Sequence, residues 1–333
     1  MNKLAKVGVS ALCGSLAAIS AAHAGALTIA GGATATYTEL DYGDTGNPFG
    51  MASNMTFTGS GELDNGSAVS VNIAHSDQNV YSASDVSLDI PGLGKFTFDQ
   101  GGGTGIDRFD DKMPTAWEEP TGTGVTTGIV TVSGVGGGAD LEWALSSDFL
   151  PDGVSAYLAW TPKADGLTAN DKASTGPGTT GAQAGWDVAV SHTGLADGLE
   201  VFAGYSSIDQ DGVGVDDHTS KVIGATYAAG NFTVGYQYST DDLNTGGTDM
   251  YENNMYGVSF SVNDDLSVSY GRSESERSGS ASDTETVIDS FQAAYSMGGA
   301  TIKFAETQVD NHSYTPGTGA DRGGTTLALT LAF

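Results

Sequence analysis

The sequence predicts an all-β chain, a sixteen-stranded antiparallel transmembrane β-barrel, on three observations. Short segments of alternating apolar and polar residues recur from Gly25 to Phe333, and in a strand such residues face opposite ways. The spacers between them are tight turns and longer polar stretches in strict succession. No apolar run after Gly25 reaches the length of a membrane helix, about 20 residues. A membrane-embedded chain of this kind must close its sheet, since lipid leaves unpaired backbone groups no partner. Glycine supplies 49 of 333 residues, roughly twice its usual share, which disfavours long helices.

Taken in order, residues 1–24 read as a cleaved secretory signal peptide, leaving 25–333 as the barrel. Lys3 and Lys6 precede an uncharged apolar core from Val7 to Ala22, and Ala22-His23-Ala24 offers small residues around a cut before Gly25. Cys13, the single cysteine, follows Leu12 midway through that core, where lipidation would call for a small residue. The remaining chain then has neither a disulfide nor a thiolate nucleophile.

Strands are expected near 26–40, 51–62, 67–76, 84–90, 95–100, 139–148, 153–162 and 183–192, then 198–206, 218–229, 231–240, 254–263, 265–274, 286–298, 300–309 and 324–333. Met55 and Phe57 oppose Thr56 and Thr58, and Phe232, Val234, Tyr236 and Tyr238 oppose Thr233, Gly235, Gln237 and Ser239. Leu63-Asp64-Asn65-Gly66, Pro91-Gly92-Leu93-Gly94, Pro151-Asp152-Gly153, Ala229-Gly230-Asn231, Asn263-Asp264-Asp265, Gly298-Gly299 and the stretch 194–198 have tight-turn chemistry. Longer spacers lie at 41–50, 77–83, 101–138, 163–182, 207–217, 240–253, 275–285 and 310–323. Short turns on one rim and long loops on the other mark an outer-membrane barrel. Ile129-Val130-Thr131-Val132 also alternates. Counting it would move the 163–182 spacer to the short-turn rim, so it is assigned to the third long loop, as its tail or as an extra strand segment.

Charge narrows the function. Residues 25–333 carry ten basic against 41 acidic side chains, formally −31. Such a surface repels phosphate backbones and excludes nucleic-acid binding. It suits a solubility surface in salty surroundings, or a pore that gathers cations.

The chain ends on Leu327, Leu329, Leu331 and Phe333, alternating with Ala328, Thr330 and Ala332. The stripe of Leu329, Leu331 and terminal Phe333 resembles the assembly signal of bacterial outer-membrane barrels. With leader, rims and strand count, the chain resembles the Gram-negative general diffusion porins, and its short, glycine-rich, acidic form is similar to those of alphaproteobacteria. The resemblance spans 25–333 and rests on architecture. It implies a multi-pass barrel exported through the periplasm to the cell outer membrane, in contact with the barrel assembly machinery, membrane lipid and lipopolysaccharide. It further implies a homotrimer of water-filled barrels, passive passage of small hydrophilic solutes, no enzymatic activity and no resident cofactor.

The resemblance also implies a third loop folded into the lumen. The matching segment opens on Gly101-Gly102-Gly103-Thr104-Gly105 and continues through Asp107, Arg108, Phe109, Asp110, Asp111 and Lys112 to Trp117, Glu118 and Glu119. Asp107, Arg108, Asp110, Asp111, Glu118 and Glu119 are the constriction candidates. The glycine run lacks the Gly-Lys-Ser/Thr of a phosphate cradle. If the face opposite each apolar stripe is the lumen, then Glu62, Asp89, Lys95, Asp99, Glu142, Asp187, Glu200 and Lys303 belong to the pore wall. Arg272 shares the lipid parity of Leu266, Val268 and Tyr270. The inward set is mostly acidic and has no arginine ladder, a departure from the family. It favours cation preference, weakened in high salt.

Other constellations are thin. Asp209-Gln210-Asp211-Gly212 with Asp216 and Asp217 lacks the spacing of a calcium loop, so loosely bound Ca2+ or Mg2+ on outer loops is the most it supports. His75, His192, His218 and His312 lie in four different segments, and no motif pairs one with a nucleophile. Trp143, Trp160 and Trp186 suit the membrane interfaces. Two alternatives stand beside the diffusion channel. One is a substrate-specific channel for sugars or anions, which calls for inward aromatics or a basic ladder. The other is an acidic calcium-binding surface protein, which calls for neither the terminal Phe nor the rim pattern.

Overall fold

The computed structural model describes residues 25–43, 46–77, 79–100, 102–110, 112–164, 181–212, 214–244, 250–279 and 284–332. Residues 1–24, expected from the sequence to be a signal peptide, and Asp111 and Phe333 lie outside the described residues.

The chain forms β1 (Ala26–Leu40), β2 (Phe49–Glu62), β3 (Ala68–Ser76), β4 (Asn79–Ile90), β5 (Gly94–Gln100), β6 (Ala139–Leu145), β7 (Val154–Thr161) and β8 (Ala182–His192). It continues as β9 (Leu199–Gln210), β10 (His218–Ala229), β11 (Phe232–Asp242), β12 (Met250–Ser261), β13 (Leu266–Ser278), β14 (Thr284–Met297), β15 (Ala300–Asp310) and β16 (Arg322–Ala332). Each strand pairs antiparallel with its chain neighbours, and β1 seals against β16 to close the barrel. At that seam Thr34 faces Thr330 with hydroxyls 2.9 Å apart, while Ala33, Ala35 and Tyr37 meet Leu331, Leu329 and Leu327 on the other face.

The fold turns a soluble core inside out. Leu27 is 69% exposed and Ile223 59%, both on the outer face, while Ser275, Thr286, Thr307, Gln237 and Asn253 are buried on the inner one. That is the distribution lipid outside and polar groups inside demand. Trp143 stacks on Phe96 at 5.6 Å near the short-turn rim, and its indole N–H donates to the Leu93 carbonyl at 2.9 Å. Trp160 and Trp186 lie directly opposite each other near the long-loop rim.

The sixteen strands coincide with those read from the sequence, but several run on past the apolar band. The spacer expected at 77–83 shrinks to two residues, because β4 begins at Asn79. β9, β11 and β13 continue to Gln210, Asp242 and Ser278. Beyond the lipid both faces are wet, so hydrophobic alternation fades while the backbone still requires its ladder partners. On the other rim, β6 ends at Leu145 and a 3-10 turn at Ser147–Phe149 leads to β7, where the sequence suggested a continuing strand. Ile129–Val132 joins no strand and lies within the connection between β5 and β6.

Candidate functional site

That connection, the third long loop, lies against the inner wall. It leaves β5 through a 3-10 turn (Gly105–Phe109) and returns to β6 through a second at Gly134–Gly137. Ile106, Phe109, Met113 and Val132 form one buried cluster with the inward Ala189, Phe202, Val222 and Met255 of β8, β9, β10 and β12. Phe109 stacks on Phe202 with ring centroids 4.8 Å apart. Farther along, Val125 packs on Ile288 and Val309. Buried apolar side chains of this size contribute about 1.5–3 kcal/mol each, so the loop is held by a small core of its own.

Carboxylates of the wall hold the base of the loop. Asp99 accepts the Gly102 N–H at 2.9 Å, Glu142 the Gly105 N–H at 2.8 Å, and Asp187 the N–H groups of Ile106 at 3.0 Å and Val135 at 3.2 Å. Asp140 accepts from the Thr104 hydroxyl, and Asp107 of the loop itself accepts the Gly103 N–H at 2.7 Å. Asp187 therefore ties the first turn of the loop to the last. Gly105 and Gly134, at φ +54° and +56°, bring their backbones so near this carboxylate that a Cβ on either would run into it. Arg108 pairs with Glu142 and lies over the Tyr157 ring at 3.5 Å.

The middle of the loop is read by amides and hydroxyls. The Gln292 carboxamide accepts the N–H groups of Trp117 and Glu118 at 3.1 and 3.0 Å and donates to the Glu118 carbonyl at 2.6 Å. The Ala116 N–H reaches Ser269 at 2.8 Å, and the Val130 N–H reaches the Tyr314 hydroxyl at 3.0 Å. Burial raises the Tyr314 phenol, which lies in the segment after β15, above its ordinary range.

Register places Glu62, Asp89, Lys95, Asp99, Glu142, Asp187, Glu200 and Lys303 on the inner face. Their surroundings differ. Asp99, Glu142 and Asp187 are at most 8% exposed, covered by the base of the loop. Glu62, Asp89 and Lys95 line a cavity of about 640 Å³ against β1–β5, together with Ser60, Ser70 and Ser87. Glu200 pairs with Lys112 of the loop at 3.3 Å, and the Lys303 ammonium lies 5.8 Å from the Trp117 ring. Asp107, Asp110, Glu118 and Glu119 are all partly exposed on the loop. Arg272 lies outside, bonded to Glu274 and Asp289 at 2.8 Å each.

Several inward charges escape the sequence reading. Asp85 lies on the inner face of β4, and its two carboxylate oxygens accept from the Asn72 amide nitrogen at 3.0 and 2.8 Å. Its alternation with Val86 was there to be read. Asp140 shares the parity of Glu142. Arg277 and Arg322 sit in strand extensions that carry no apolar stripe. Around 209–217, Asp211 accepts from Gln183 at 2.6 Å and Asp217 from Ser207 at 3.4 Å. Among the described residues no three His, Cys, Asp or Glu side chains are placed to share a metal.

A family model described as Gram-negative porin matches residues 8–315. Among solved structures, the chain is similar to Salmonella typhi OmpF at 16% identity and TM-score 0.69, covering 92% of this chain and 97% of that one. It is similar to an anion-selective porin from Comamonas acidovorans at 12% identity and TM-score 0.67, covering 93% and 100%. A trimer form of OmpT from Vibrio cholerae matches at 11% identity and TM-score 0.66, covering 93% and 99%. No curated protein matches the sequence.

Proposed function

This chain belongs to the Gram-negative porin family, and from that premise we propose a passive diffusion channel for small hydrophilic solutes and ions whose acidic third loop narrows the pore and makes it cation-preferring. An outer-membrane β-barrel of sixteen strands is wide enough to keep an aqueous lumen. The observation that carries the finer reading is the berth of the loop. Its anchors reach the inner faces of β8 to β10 and β12 to β15, and its far end packs near Leu40 at the long-loop end of β1. The cavity lined by Glu62, Asp89 and Lys95 lies against β1–β5 toward the short-turn rim. Solutes then pass between the loop, whose Asp110, Glu118 and Glu119 are partly exposed, and that opposite wall.

The sign of selectivity follows from side chains rather than fold, because a porin described as anion-selective shares the architecture. Near the loop, Arg108 pairs with Glu142 and Lys112 with Glu200, while Lys303 lies by the Trp117 ring and Arg322 donates to the Thr126 hydroxyl. Partly exposed carboxylates predominate, and a narrow opening lined by one sign of charge enriches the counter-ion. A carboxylate about 4 Å from a monovalent cation is worth about 1 kcal/mol even at the permittivity of water. A homotrimer is the expected assembly, supported by the trimer form of the Vibrio cholerae protein. The mechanism calls for no cofactor and no bond chemistry.

Single-channel recording of the purified protein across a KCl gradient tests this reading. A reversal potential of the sign set by potassium is expected. A chloride-directed potential overturns the selectivity, and absence of conductance overturns the channel.

A further inference from the structure

Three glycines of neighbouring strands lie side by side on the inner wall. Gly235 of β11 pairs with Gly257 of β12, and Gly257 pairs with Gly271 of β13. The missing side chains leave a shallow trench across the strands, and the loop lays two prolines in it. A Cβ at Gly235 would stand 2.6 Å from Cδ of Pro114. At Gly257 it would stand 2.8 Å from the same atom and 3.0 Å from the Pro114 backbone nitrogen and oxygen. At Gly271 it would stand 2.7 Å from Cγ of Pro120. Carbon atoms in ordinary contact sit about 3.5–4.0 Å apart, so each added methyl lacks roughly 1 Å.

The loop is the part that must give way. A barrel strand is hydrogen-bonded on both sides, and proline rings hold a fixed shape. None of the three glycines has a positive φ, so alanine fits the strand backbone and the steric cost falls on the loop. The open direction is toward the lumen. Trp117, Glu118 and Glu119 are suspended between the two proline seats, with Gln292 fixing the backbone of Trp117 and Glu118.

We propose that the Gly235–Gly257–Gly271 row is an aperture-setting berth: by receiving Pro114 and Pro120 it fixes how far the third loop projects into the pore, and hence the size limit for solutes. The inference rests on the channel reading above. It adds residues that carry no charge and touch no solute, yet determine which solutes fit.

The test is single-channel recording of folded Gly257→Ala, with potassium and with the bulkier tetraethylammonium as the permeant cation. Conductance should fall below that of the unmodified protein, with a steeper loss for tetraethylammonium, while the KCl reversal potential stays unchanged. At Gly235 the added methyl meets the Pro114 ring and not its backbone, so conductance lost in Gly235→Ala should be restored by Pro114→Gly, which a general folding defect would not allow. Should Gly257→Ala fail to assemble, Gly235→Ala with Pro114→Gly, and Gly271→Ala with Pro120→Gly, carry the same comparison. Unaltered conductance, equal loss for both cations, or absence of rescue overturns the berth. An unmodified protein that passes no current overturns the channel reading instead.

Discussion

Replacing Asp187 with alanine should unseat the base of the third loop while leaving the barrel closed. The Asp187 carboxylate accepts N–H groups from Ile106 at 3.0 Å and Val135 at 3.2 Å and is 1% exposed. Two buried N–H groups would lose their acceptor, at about 1–3 kcal/mol each, together about 2–6 kcal/mol. The apolar anchors Ile106, Phe109, Met113 and Val132 remain, each worth about 1.5–3 kcal/mol. Docking is therefore weakened without being abolished, and the loop should leave and return. In single-channel records Asp187→Ala should show excess open-channel noise with excursions to higher conductance. Protease added to the folded barrel should cut between 105 and 138 faster than in the unmodified protein, at an unchanged thermal midpoint for loss of β-structure. Asp187→Asn keeps one acceptor oxygen and should lie between the two. A quiet Asp187→Ala channel with protease resistance intact would refute the clamp. Equal behaviour of the alanine and asparagine variants would show that charge, rather than hydrogen-bond acceptance, is what the position supplies.

Phe109→Ala removes the ring stacked on Phe202, a loss of about 3–5 kcal/mol for a large core aromatic; mean conductance should rise while the thermal midpoint of the barrel holds. Asp110→Asn combined with Glu118→Gln and Glu119→Gln should lower the cation-to-anion permeability ratio, by up to about fivefold per carboxylate that lies close to the ion path; an unchanged reversal potential would place these acids off that path. Tyr314→Phe leaves the Val130 N–H without the hydroxyl that now accepts it at 3.0 Å, so hydrogen exchange at Val130 should accelerate while exchange in the strand ladders stays as it was.

What the sequence reveals is set by what each residue faces. Lipid writes a period of two onto the outer face, so strands such as Phe232–Asp242, with Phe232, Val234 and Tyr236 outermost, are legible without a structure. Where the wall rises past the lipid that signal ends, which hid the start of β4 at Asn79 and put Arg277 in an apparent loop. Parity also assigns an acid to the inner face without revealing what it meets there. Glu62 and Asp187 share that face, yet Glu62 borders an open cavity and Asp187 lies beneath two loop turns. The difference is made by the docking of Phe109 on Phe202, a contact between residues 93 positions apart that no local pattern encodes. The glycines tell the same story. Gly235 and Gly257 look like ordinary strand positions until Pro114 is found lying on them.

The acidity of the chain leaves one further mark, on the outer face near the long-loop rim. Glu252, Glu276 and Glu285 stand in a single row on β12, β13 and β14, each directly opposite the next. Like charges so placed destabilise a sheet, by about 0.2–1 kcal/mol per pair. Glu276 is the middle member and takes part in both pairs. Glu276→Gln should therefore stabilise the folded barrel by roughly 0.4–2 kcal/mol at low ionic strength. Near 1 M salt the screening length falls to about 3 Å, shorter than the spacing of neighbouring strands, so the gain should vanish there. The unmodified protein should itself gain stability as salt is added. Denaturant titrations of both proteins at low and high salt measure the difference. A Glu276→Gln variant that is destabilised, or whose gain is the same at both salt concentrations, would mean that these carboxylates do not repel one another across the sheet.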